Sequence, residues 1–157
     1  MAESWLPNGH KSLGQELYRT VALTFSSTME YIYYLTNASL TLRVVERLLG
    51  VTQLPLEFMT VIHQMSGWVV KVKLHESVSV RSQQNFLAFL NEIGTVYEPP
   101  IRVRAALWAL EMGQSATDVM RRYQVAVVSH GKPDKREIEE FTQQFVMGLG
   151  YCPETLA

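Results

Sequence analysis

Pro55-Leu56-Glu57-Phe58-Met59 opens the stretch on which the reading of this chain turns. The stretch continues through Trp68-Val69-Val70-Lys71-Val72-Lys73, breaks at His75-Glu76-Ser77, and resumes at Arg81 ahead of Phe86-Leu87-Ala88-Phe89-Leu90. Past Pro99-Pro100 it runs Ile101-Arg102-Val103-Arg104-Ala105-Ala106-Leu107-Trp108 and reaches Gly113. Apolar segments thus alternate with short breaks that carry cations. Phe58, Met59, Ile62, Met65 and Val69 fall on one face at helical spacing, which predicts a helix with Pro55 in its first turn. Val70-Lys71-Val72-Lys73-Leu74 alternates as a strand would, and so does Val78-Ser79-Val80. An isolated hairpin is marginal in water, and the flanking segments read as helices, so helix followed by loop is the expectation.

Outward from this stretch the pattern is helical on both sides. Residues 1–11 form a polar start with Pro7, Asn8 and Gly9. Ser12 and Gln15 then form a capping box, ahead of an apolar stripe through Leu13, Leu17, Val21, Phe25, Met29 and Ile32 whose end is rich in tyrosine. Asn37 or Ser39 starts a second helix with Val44, Val45, Leu48 and Leu49 as its stripe and Gly50 as its stop. Helices are further expected from Val80 to Ile93, after Pro100, from Ala116 to Val128 behind a Ser115 cap, and after an Asp134 cap with Ile138, Phe141, Phe145 and Leu149 inward. The sum is an all-α chain of about seven helices. It divides into a loose segment 1–11, a first helical subdomain 12–94 and a second 95–157.

At 157 residues with 47% hydrophobic residues, the chain can bury a sizeable core. Its 14 basic and 15 acidic residues give a net charge of −1, so any attraction to anions must come from uneven placement rather than overall charge. Cys152 is the only cysteine, which excludes an internal disulfide and a Cys-rich metal framework. The four histidines lack the i, i+4 spacing of a helical zinc pair. There is no Gly-x-Ser-x-Gly elbow and no glycine-rich phosphate loop. No cofactor, metal or catalytic residue is therefore expected, and the chain is not read as an enzyme. Asn37-Ala38-Ser39 matches a glycosylation acceptor, a three-residue pattern of low specificity. No apolar run reaches the length of a bilayer span, and the first residues lack a signal-peptide core. Trp68 and Trp108 read as core; Trp5 reads as an anchor. His75 and His130, at expected breaks, are candidates for a pH response.

The cations carry the functional reading. Lys71, Lys73 and Arg81 surround one break, and Arg102 and Arg104 open the helix after the next. Arg121 and Arg122 form a secondary pair. If the breaks meet at one end of a bundle, the first five share a surface, opposed by Glu76 and Glu98. Such a patch would draw anionic lipid headgroups or RNA phosphates.

Several of these segments also resemble, in order, the middle of influenza-type (orthomyxovirus) matrix proteins. They are Trp68-Val69-Val70-Lys71-Val72, Arg81-Ser82-Gln83-Gln84-Asn85-Phe86-Leu87, Leu90-Asn91, Ile101 to Leu110, Ser129-His130-Gly131 and Met147-Gly148-Leu149-Gly150-Tyr151. The resemblance implies the amino-terminal region of a matrix protein, built from two helical subdomains. It implies self-association into a polymer beneath a viral envelope, and contact with anionic membrane and ribonucleoprotein. It also implies location in the virion, the host cytoplasm and the inner membrane face, and a chain that continues past Ala157. The family's strongly basic helix would fall near Arg102 to Met112, where only Arg102 and Arg104 are basic, and its Cys/His pattern is absent. The expected function is thus a self-associating structural protein that binds an anionic membrane or ribonucleoprotein. The competing expectation is a helical protein-interaction adaptor with no membrane or RNA role.

Overall fold

The computed structural model describes residues 29–50 and 54–157. The expected loose start, the Ser12 cap, the stripe from Leu13 to Phe25 and the Trp5 anchor lie outside the described residues. The elements follow in the order β1 (Glu30–Leu35), α1 (Ala38–Gly50), β2 (Leu56–Gln64), β3 (Gly67–Leu74), α2 (Val80–Ile93), β4 (Thr95–Val96), α3 (Ile101–Glu111), α4 (Ala116–Tyr123), β5 (Ala126–Gly131) and α5 (Lys135–Leu149). A single turn of 3-10 helix, Glu154–Leu156, comes last. The five strands form one sheet in the order β4-β1-β3-β2-β5, each antiparallel to its neighbours. Strands β1 to β4, with α1 and α2 as crossovers, make a split βαβ arrangement. Strand β5 extends the sheet beyond β2.

The all-α expectation is therefore overturned: the fold is mixed, with an antiparallel sheet between two helical layers. The first part of the decisive stretch, Leu56 to Leu74, is the β2–β3 hairpin, not a helix. Outside Val70 to Leu74 its residues show little alternation, because both faces of the sheet are covered and both sets of side chains are buried. Along β3, Trp68, Val70, Val72 and Leu74 enter the core under α1, α2 and α5. Val69, on the opposite face, packs with Ile62 against Val103 and Leu107 of α3. Burial of both sets produces a continuous apolar run that imitates a helical stripe, whereas the β-branched run Thr60-Val61-Ile62 and Val69-Val70 belongs on a pleated surface. The tyrosine-rich segment expected to end the first helix is strand β1. The expected helix Ala116 to Val128 stops at Tyr123, because Gln124 takes a left-handed conformation (φ 58°) that closes α4 before β5 begins.

The first core joins Val44, Val45 and Leu48 of α1, Phe86, Leu90 and Ile93 of α2, and Ile138 of α5 to the sheet. Each fully buried large side chain there contributes about 1.5–3 kcal/mol. The indole of Trp68 donates to the Thr155 carbonyl at 2.6 Å, which ties the end of the chain to β3. On the other face α3 and α4 close over a smaller core of Ala106, Ala109, Leu110 and Val119. Among the described residues, no helix is long and apolar enough to cross a membrane.

Candidate anion-binding face

Strand register decides the fate of the two lysines. Lys73 sits between Glu30 of β1 and Phe58 of β2, and Lys71 between Ile32 and Thr60. Both project from the sheet face that α3 covers, where they meet Glu111 at the last turn of that helix. Lys71 Nζ donates to Glu111 Oε2 at 3.1 Å, and Lys73 Nζ donates to Oε1 at 2.8 Å. Glu30 stands 3.8 Å from each ammonium, and Glu57 3.6 Å from Lys73. Both ammoniums also lie over the Phe58 ring, 5.7 and 5.8 Å from its centroid. The hydrogen bond to Glu111 holds the Lys73 ammonium above its ordinary range, against the opposing effect of burial. Burial pushes the Glu111 carboxyl up, but the hydrogen bonds from Lys73 and Lys71 override it and leave the group below its usual range. Two cations thus face three carboxylates, and the cluster is not a source of positive potential.

The arginines stand otherwise. Arg102, Arg104, Arg121 and Arg122 are all exposed, and among the described residues none has a carboxylate within ion-pair distance. Arg102 donates to the Gln124 carbonyl at 3.3 Å, and the Gln124 side chain donates to the Arg121 carbonyl at 3.2 Å. The first turn of α3 and the last turn of α4 are thereby joined, which brings Arg102 to the Arg121–Arg122 pair. Arg104 leans the other way and donates to the Pro99 carbonyl at 3.4 Å. Arg81, on α2, belongs to the opposite helical layer. The structure therefore gathers Arg102, Arg104, Arg121 and Arg122 on the α3–α4 layer, neutralises Lys71 and Lys73 beneath it, and places Arg81 elsewhere.

An apolar stripe accompanies these arginines. Val103, Ala106, Leu107 and Leu110 turn α3 inward. Ile101, Trp108 and Met112 turn outward, 84%, 61% and 59% exposed. With Ala105 they recur at three- or four-residue spacing, a second stripe opposite the first. Trp108, read as core from the sequence, is a surface residue. Its position at that spacing relative to Ile101 and Met112 was the available signal. No signal linked Glu111 to lysines about forty residues earlier, because only the register of β3 brings them together. Between α3 and the sheet, an open cleft of about 520 Å³ is lined by Tyr97, Arg104, Trp108 and the lysine cluster.

The histidines divide by environment. His130 contacts Thr60 Oγ1 through Nδ1 at 2.7 Å and packs on Phe58. Its pKa is lowered by burial, partly offset by a backbone hydrogen bond to Leu110. His75 contacts Ser77 in an exposed turn. His63, which the sequence did not single out for titration, is buried.

No family model, curated protein or solved structure matches the chain.

Proposed function

We propose that the chain is a binding module that lies on anionic lipid surfaces through its α3–α4 layer. Arg102, Arg104, Arg121 and Arg122 supply the electrostatic attraction, and Ile101, Trp108 and Met112 supply apolar anchorage at the headgroup level. The observation that carries this reading is the coincidence of arginines that meet no carboxylate among the described residues with an exposed tryptophan-bearing stripe on one helical layer. An interfacial helix pairs an apolar face with flanking cations in this way. Each arginine near an anionic leaflet contributes about 1 kcal/mol.

The proposal differs from the sequence expectation in its residues: Lys71, Lys73 and Arg81 are no longer part of the binding face. Self-association in a matrix layer and contact with ribonucleoprotein are not included. Of the segments that carried the resemblance, Trp68 to Val72 lies in a strand rather than at the end of a helix. Co-sedimentation with vesicles tests the reading. Binding should require anionic lipid, weaken steeply with added salt, and fall on replacing the four arginines by alanine. Equal binding by that quadruple variant would refute it.

A further inference from the structure

A second cleft, of about 520 Å³, opens where the β2–β3 turn, the start of β5 and the first turn of α3 meet. Ile62, Met65, Val125 and Phe145 give it apolar walls, and Arg102 stands among its lining residues. His63 also lines it, yet His63 is only 5% exposed. Its ring is boxed by Trp68 at 4.8 Å and by Phe141 and Phe145 at 5.2 Å each. Its Nε2 is buried without a hydrogen-bond partner among the described residues. A buried polar atom left in that state is destabilising, and such atoms are rare enough in folded proteins to ask for an explanation. An apolar recess with a few convergent polar groups is the usual form of a small-molecule site.

We infer that this cleft binds a small monocarboxylate with an apolar chain. The planar guanidinium of Arg102 matches one carboxylate in a two-pronged pairing. Among the described residues Arg102 is the only lysine or arginine in the lining itself, so the cleft suits one negative charge better than a phosphate. The apolar body of the ligand lies against Ile62 and Val125. Phe145 belongs both to the box around His63 and to the wall of the cleft, so a turn of this one ring joins the two spaces. One carboxylate oxygen then accepts a hydrogen bond from His63 Nε2. This inference does not rest on the lipid reading, although Arg102 serves both.

The test uses the full chain without vesicles and octanoate as the probe, with 1-octanol and octylamine as controls of the same chain length. Calorimetric titration should show octanoate binding at least tenfold more tightly than either control. Arg102→Ala and His63→Phe should each weaken octanoate at least tenfold. Phenylalanine suits the aromatic box, and His63→Phe should still sediment with anionic vesicles, which separates the two readings. If His63→Phe does not fold, the ring nitrogen resonances of His63 in the unmodified chain provide the test, and they should shift on adding octanoate. Octanol binding as tightly as octanoate, or His63 resonances unmoved at saturating octanoate, would overturn the inference.

Discussion

Arg102 donates a hydrogen bond to the carbonyl of Gln124, 22 residues on, and so links the start of α3 to the left-handed cap that ends α4. This contact brings arginines distant in sequence onto one helical layer. It leaves most of the guanidinium's donors unused, since an arginine carries five.

The first prediction concerns the arginines that this contact brings near Arg102. Replacing Arg121 and Arg122 together by alanine should weaken binding to anionic vesicles by about 2 kcal/mol, roughly thirtyfold. Both side chains are exposed, so the melting temperature should stay within a degree or two. Replacing Arg81 should leave vesicle binding unchanged, because it lies on the opposite layer. Vesicle titration at fixed ionic strength checks both statements.

The second concerns the ion cluster. Glu111→Gln removes the negative charge that both lysines share, keeps a single acceptor oxygen between them, and leaves Lys71 buried with only the more distant Glu30 as counter-charge. The expected loss is about 2 kcal/mol, below the value for a fully isolated buried charge because Glu30 remains. Denaturant unfolding measures it, and a loss under 0.5 kcal/mol would show that the cluster contributes little. Vesicle binding by this variant should be unchanged when measured on folded protein.

The third is a pH dependence. Burial lowers the pKa of His63 from its ordinary value of 6.5, so the folded chain binds fewer protons there than the unfolded chain. Stability from this residue is complete above about pH 6.5 and is lost as pH falls below it. His130 is lowered in the same direction, also by burial. Their combined effect should appear as falling stability between neutral pH and the folded-state values. His63→Phe should flatten the profile and His130→Gln should flatten it further. A profile identical in the parent and both variants would contradict the assignment.

The fourth concerns space at the end of α2. Gly94 has extended backbone (φ −151°) that any residue adopts, so its need for glycine is steric. A Cβ there would meet the Leu35 side chain and stand 2.8 Å from the Tyr34 carbonyl oxygen. Gly94→Ala should therefore cost about 2 kcal/mol through displacement of β1. Gly148→Ala, inside α5 where a Cβ meets nothing within 4 Å, should stabilise by up to about 1 kcal/mol and serves as the control.

What the sequence disclosed and concealed follows from burial. Amphipathic segments with one wet face, such as Val80 to Ile93 ending at Gly94, carry a period that names them as helices. The hairpin from Leu56 to Leu74 carries a strand period only at its end, in Val70-Lys71-Val72-Lys73-Leu74, because over the rest sheet faces covered on both sides erase the two-residue alternation. The lysines were legible as cations but not as neutralised ones. Their partners Glu30 and Glu111 arrive from β1 and α3, and only the fold makes them neighbours. Arg102 and Arg104 were legible because they open a helix. Trp108 was misassigned to the core because α3 is apolar on nearly every side, so no wet face marked its outer stripe.

The central claim is that the outer face of α3 enters the lipid interface, and the emission of Trp108 reports on it most directly. Spectra of the parent chain and of Trp108→Phe, each with anionic and with neutral vesicles, isolate its contribution from those of Trp5 and Trp68. The account predicts a blue shift on anionic vesicles that is absent on neutral ones and lost in Trp108→Phe. Emission from Trp108 that stays unshifted while the protein is bound to anionic vesicles would contradict it.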